Sequence, residues 1–344
     1  MFEHILVPLD GTEHAERALP VAARIAHATG GTLILINVVL PSPIYETYSV
    51  NQVPALPDAH DIRIERAFTY LDEMLDRYGP DLVGIKTEKT VTSGAASATF
   101  FEEARLRHVD LIVLCSQGES NFKHWFFSSM ARHVVHHTAI PVLLLNEQGD
   151  FPPFVHQEQL LRVLVPLDGS PLSEMALEPT IWLMAVLAGS TQTALHLLRV
   201  VDIPFPYGHT RAFSRVDMMM YQEEAQKAQN YLHEEISRML AHLPTKLNVT
   251  ITSSVISSTD VVKTILAEAE PVEEELRAEP YDLIALATHG RGRLQRLLMG
   301  SVTEHLIGAT RLPLFIVQPH EEVAQKEPKG TAESGESLKD HVNT

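Results

Sequence analysis

A glycine turn flanked by arginines carries the chemistry most easily read from this chain. Thr288-His289-Gly290-Arg291-Gly292-Arg293-Leu294 places two glycines between an apolar run and an amphipathic one, with Arg296 just beyond. Glycine lets backbone N–H groups close on an anion, and a helix N-terminus adds partial positive charge. In a chain of net charge −17, three arginines with no acid among them before Gly300 form a cationic island suited to phosphate. The alternative is a solvated turn with surface arginines. A second loop, Asp168-Gly169-Ser170, follows Val163-Leu164-Val165-Pro166-Leu167 and offers a carboxylate and a hydroxyl. Neither Asp168 nor its counterpart Asp10 has a histidine or second acid at a recognisable catalytic spacing. Both read as anchors of a loop or a ligand.

These loops occur twice. Ile5-Leu6-Val7-Pro8-Leu9-Asp10-Gly11-Thr12 prefigures the Asp168 segment. LIVLCSQG at Leu111 to Gly118 prefigures LIALATHG at Leu283 to Gly290, and the apolar run after Pro141 prefigures that after Pro313. The separation is 158 residues from Asp10 to Asp168 and 172 from both Gly118 to Gly290 and Pro141 to Pro313. Conserved order with one insertion indicates a duplicated domain, not a short-period solenoid. The copies differ where an anion would sit. Glu119 stands opposite Arg291, and Ser128-Ser129 stands opposite Gly300-Ser301. A carboxylate repels polyphosphate, and a Cβ at Ser128 obstructs close backbone approach.

Competing motifs are incomplete. There is no Gly-x4-Gly-Lys-Ser/Thr loop, and Gln295 occupies the third glycine of a dinucleotide fingerprint begun by Gly290 and Gly292. His133, His136 and His137 have the spacing of metal ligands on one helix face, but no carboxylate or cysteine joins them. Histidines also suit a helix C-terminus. No metal held by protein side chains is expected. Cys115, the single cysteine, ends an apolar run and reads as a buried thiol; it permits no intrachain disulfide, which suits a reducing cytosol.

The elements that must position these loops alternate. Strands are expected at Ile5–Leu9, Leu33–Val39, Gly84–Val91, Leu111–Cys115 and Val142–Leu145, and again at Val163–Leu167, Ala194–Val201, Leu247–Val255, Leu283–Ala287 and Leu314–Val317. Helical spacing fills Glu13–Ala28, Asp61–Tyr78, Ala95–Arg107 and Lys123–His137, then Leu172–Leu187, Met218–Leu240, Asp260–Ala269 and Leu294–Ala309. Nearly continuous apolar strands between helices predict parallel sheets covered on both faces. Ligands then bind beyond the carboxyl ends of the strands where strand order reverses.

The 344 residues suit two domains, expected at 1–146 and 161–318 with a linker at 147–160 and a polar, disordered tail at 319–344. The strong negative charge argues against nucleic acid or an anionic membrane as a partner. No signal peptide or membrane-spanning run is legible, so a cytoplasmic location is expected.

The pairing of an LVPLDGS-type strand with a Gly-x2-Gly-x9-Gly-Ser signature resembles the universal stress protein family, here in tandem. The resemblance covers Met1 to Leu145 and Leu161 to Gln318. The second copy reads Ala287-x2-Gly290-x9-Gly300-Ser301-Val302-Thr303-Glu304-His305 and departs only at Ala287, where the pattern has glycine. The first reads Cys115-x2-Gly118-x9-Ser128-Ser129 and keeps one glycine of three. The resemblance implies an α/β fold of two doubly wound five-stranded parallel sheets, order 3-2-1-4-5, of the adenine nucleotide α-hydrolase-like kind. It implies ATP with Mg in the second copy, adenine lying against Asp168 and Val200. Ribose and phosphates would contact Gly290, Arg291, Gly300, Ser301 and Val302, with Pro166, Leu167, Thr288, His289 and Arg293 around them. The degenerate equivalents are Asp10, Val38, Gly118, Ser128 and Ser129.

The expected role is an ATP-binding stress-response regulator that acts through nucleotide-dependent partner binding or assembly. The halves would pair through their fifth strands, and homodimerisation stays open. The alternatives are a nucleotide-independent scaffold and a slow ATPase.

Overall fold

The computed structural model describes residues 1–40, 58–94, 96–116, 133–146, 160–189, 192–202, 215–242, 248–270, 280–288 and 300–318. In the first half, β1 (His4–Pro8) runs parallel to β2 (Thr32–Val39) on one side and β4 (Leu111–Ser116) on the other. Next, β3 (Lys86–Ser93) extends from β2, and β5 (Val142–Asn146) from β4. The second half repeats this with β6 (Leu161–Pro166) between β7 (Thr193–Asp202) and β9 (Leu283–Ala287). Here β8 (Val249–Ser258) lies outside β7, and β10 (Leu314–Val317) outside β9. Each half therefore has strand order 3-2-1-4-5. An antiparallel pairing of β10 with β5, Phe315 opposite Leu143, joins them into one ten-stranded sheet.

Apolar strand residues alternate between two cores, one on each face of the sheet. Ile5, Leu33, Val113, Val163 and Ala285 enter one; Leu6, Ile34, Ile112, Leu164 and Ile284 enter the other, all fully buried. Burying each large aliphatic side chain contributes about 1.5–3 kcal/mol, enough to specify the register. The first face is covered by α1 (Glu13–Glu16), α2 (Ala18–Thr29) and α3 (Asp58–Arg77), and in the second half by α5 (Pro171–Glu174), α6 (Leu177–Ala188) and α7 (Arg215–His242). The other face takes α4 (Ala96–Leu106), α8 (Val261–Ala269) and α9 (Ser301–Ala309). Across the middle, Phe2 meets Phe315 edge-on at 6.3 Å, and the Arg24 guanidinium of α2 donates to the Leu187 carbonyl of α6 at 3.1 Å.

The first helix of each half is broken where one continuous helix is expected. Pro20 and Pro179 lack the N–H that would reach back four residues to Glu16 and Met175, so α1 and α5 stop after one turn. A new helix starts within three residues of each, at Ala18 and Leu177. The strand expected at Gly84–Val91 begins instead at Lys86, because Gly84 sits at φ +81 and closes the preceding turn. Cys115 is buried, as a structural thiol should be.

Candidate functional site

Each first strand ends in the same small device. In the second half Gly169 takes φ +77, a left-handed turn that returns the chain toward its own aspartate. One carboxylate oxygen of Asp168 accepts from the Ser170 N–H at 2.9 Å and from its hydroxyl at 2.6 Å. The Ser170 hydroxyl accepts in turn from the Ser173 N–H at 3.2 Å and so caps α5. In the first half Gly11, at φ +86, lets Asp10 hold the Thr12 N–H at 3.0 Å and hydroxyl at 2.6 Å, and Thr12 caps α1. Asp10 and Asp168 are thus loop anchors, one oxygen of each engaged in the turn.

At the reversal of strand order between β6 and β9 the second half opens a cavity of about 840 Å³. Pro166, Leu167 and Asp168 form one side, Val200 another, and Thr288 with Gly300, Ser301 and Val302 a third. Eight of the residues singled out in the second copy therefore meet around one space. His289, Gly290, Arg291 and Arg293 lie outside the described residues, as do Gly118, Ser128 and Ser129 of the first copy. Asp10 and Val38 are described; Asp10 is exposed at the end of β1 and Val38 half-buried on β2. Among the described residues no three potential metal ligands cluster. The His133 and His137 rings lie 4.1 Å apart, tilted by 47°, and burial together with the neighbouring His137 lowers the His133 pKa.

The third wall is the start of α9. Its cap, Gly300, has no side chain to satisfy the first-turn N–H groups, and Ser301, Val302 and Thr303 line the cavity there. Unsatisfied N–H groups together with the helix dipole make this end attractive to an anion. The helix is tied to β9 by the Thr303 hydroxyl, which donates to the Ala287 carbonyl at 3.3 Å.

Arg199, Tyr231 and Lys227 are among the cavity-wall residues that the sequence reading did not single out. Arg199 donates to the Leu167 carbonyl at 3.2 Å, the task performed at Leu9 by the Asn37 amide at 3.0 Å. Tyr231 reaches across from α7 to give its phenol to Glu174 at 3.0 Å; Arg238 also contacts Glu174, at 3.3 Å. Burial first, then the Glu174 charge, raises the Tyr231 pKa, so the phenol stays protonated and donates. The first half repeats the arrangement with Tyr70 and Arg77 on Glu16, at 3.3 and 2.7 Å. Lys227, held by Glu223 and Glu224 at 2.8 and 3.1 Å, lines the cavity beside Glu224. The signal was present: Glu16, Tyr70 and Arg77 recur in order as Glu174, Tyr231 and Arg238, each tyrosine seven residues before its arginine.

Comparison with known proteins agrees with this doubled architecture. The model of the universal stress protein family matches residues 1–146 and 160–318. A universal stress protein of Mycolicibacterium smegmatis is 23% identical over 321 residues, 92% of this chain and 97% of that protein. One of Thermus aquaticus is 30% identical over 147 residues, 42% of this chain and all of that shorter protein. The crystal structure of a universal stress protein from Archaeoglobus fulgidus superposes with a TM-score of 0.51 at 19% identity, over 92% of this chain and 97% of that one. With both halves matched and the strand order repeated in each, the chain belongs to the universal stress protein family.

Proposed function

We propose that this chain binds ATP in the second-half cavity, one molecule per chain, and acts in the stress response by changing its partners or assembly when the nucleotide is bound. The observation that carries the reading is the cavity itself. It sits at a sheet switch point, with an apolar wall at Val200, a carboxylate at Asp168 and uncapped helix N–H groups opposite. An adenine ring has an apolar face for Val200 and an exocyclic amine that donates toward the Asp168 side. The phosphates would lie against the first turn of α9, with Gly290, Arg291 and Arg293 as further contacts. Magnesium would enter on the phosphates, keeping most of its water shell. The first half, with Glu119 opposite Arg291, would be the structural partner. We assign residues 1–146 and 161–318 to the two domains and a cytoplasmic setting to the whole.

Calorimetric titration with ATP-Mg tests this reading. One site per chain is expected; two equal sites, or none, would overturn it.

A further inference from the structure

We propose that Gln318 is a positioning residue that couples the second-half cavity to the first half of the chain. It stands just past β10, and its side-chain amide faces both ways. The NH₂ group donates to the backbone carbonyl of Val135, in the short helical segment 133–137 of the first half. That contact fixes the amide's orientation and leaves its oxygen toward the second half. There it accepts the Thr288 hydroxyl at 3.1 Å.

Thr288 belongs to the cavity wall and is almost wholly buried. Its N–H donates to the Val317 carbonyl at 3.0 Å, and its carbonyl accepts the Gly300 N–H at 2.6 Å. A continuous set of hydrogen bonds therefore runs from the α9 cap at the cavity through Thr288 and Gln318 to Val135. Pseudo-symmetry sharpens the point. Asn146, the last residue of β5, occupies the matching place in the first half and also reaches across, its amide donating to the Thr310 carbonyl. Glutamine is longer by one methylene, which suits Gln318 to span Thr288 and Val135 together.

A ligand seated on the first turn of α9 bears on Gly300, and Gly300 holds the Thr288 carbonyl. The position of Thr288 sets whether the Gln318 amide bridges or releases Val135. Occupancy of the cavity is thereby felt in segment 133–138 of the other half, and a change there returns to the cavity by the same free energy.

The ligand-dependent part of this inference rests on ATP binding at the cavity; the relay can be tested without it. Hydrogen exchange of segment 133–138 is compared in the full chain and in Thr288→Val, Gln318→Leu and the double variant, without nucleotide. Loss of one neutral hydrogen bond corresponds to about a fivefold change in exchange. Each single variant should speed exchange by about that factor, and Thr288→Val should add nothing in the Gln318→Leu background. Independent, multiplying effects, or no effect of Thr288→Val, would overturn the relay even if ATP binds. With saturating ATP-Mg, protection of segment 133–138 should rise in the parent and stay flat in Gln318→Leu. Equal rises in both would overturn the coupling, whereas no ATP uptake by the parent defeats the nucleotide reading and the coupling with it.

Discussion

Thr288 and Gly300 meet through backbone alone: the Gly300 N–H donates to the Thr288 carbonyl at 2.6 Å, and a Cβ on Gly300 would lie 2.7 Å from that same oxygen. The glycine is required by the protein's own packing before any ligand arrives. The end of β9 and the start of α9 are held together there, and the cavity wall depends on that contact.

Gly300→Ala should therefore displace the wall. Overpacking of this kind costs about 1–3 kcal/mol, and ATP affinity should fall with it. Gly308, in the same helix with nothing within 4 Å of an added Cβ, is the control. Gly308→Ala should gain about 0.5–1 kcal/mol and keep ATP binding. Chemical denaturation and calorimetry on both variants decide the matter; parental stability and affinity in Gly300→Ala would refute the packing argument.

Asp168→Ala and Asp10→Ala each remove an acceptor of two hydrogen bonds within a turn. A similar loss of about 1–2 kcal/mol is expected from both. Only Asp168→Ala should weaken ATP, by about tenfold, the equivalent of 1.4 kcal/mol. Equal effects of the two substitutions on nucleotide affinity would place the ligand elsewhere.

His196 gives a pH dependence. It occupies β7 opposite Leu164, where Ile34 stands opposite Leu6 in the first half. Its ring nitrogens lie 2.8 Å from the Thr252 and Ser254 hydroxyls, the Tyr281 ring is 5.9 Å away, and burial lowers its pKa. The folded state thus takes up this proton less readily than the unfolded chain. Its contribution is complete above the unfolded value of about 6.5 and is lost as pH falls through that value toward the folded one. Denaturation at pH 7 and pH 5 should show a smaller acid loss in His196→Ile than in the parent. An unchanged difference would remove His196 from the acid response.

Turnover of ATP should be slow. Phosphoryl transfer needs a group that positions or deprotonates the attacking oxygen, and one oxygen of the Asp168 carboxylate is already engaged by Ser170. Steady-state hydrolysis should lie far below the ~10 s⁻¹ of dedicated enzymes. A rate near that value, abolished by Asp168→Asn or His289→Ala, would make this an enzyme.

The sheet was legible because its signal is local and doubled. Runs such as Leu33 to Val39 and Leu283 to Ala287 are nearly pure aliphatic, and repetition after Asp10 and Asp168 fixed the order of loops. The helix breaks were missed although Pro20 and Pro179 announce them, since apolar spacing continues through both. The Glu174–Tyr231 contact joins residues 57 apart, and Gln318–Val135 residues 183 apart. Polar pairs of that kind obey no periodicity and emerge only when the elements are packed. The repeat of Glu16, Tyr70 and Arg77 could still have exposed the first of them.

The antiparallel seam between β5 and β10 gives the molecule the outline of a twofold dimer inside one polypeptide. In a true dimer every substitution is copied onto both sides of the axis. Here it is written once. Histidine can stand at 196 where isoleucine stands at 34, and glutamine at 318 where asparagine stands at 146, with no compromise imposed by a mirror position. Covalent linkage has released the two sides to specialise, and it keeps them at a ratio of one to one at any dilution.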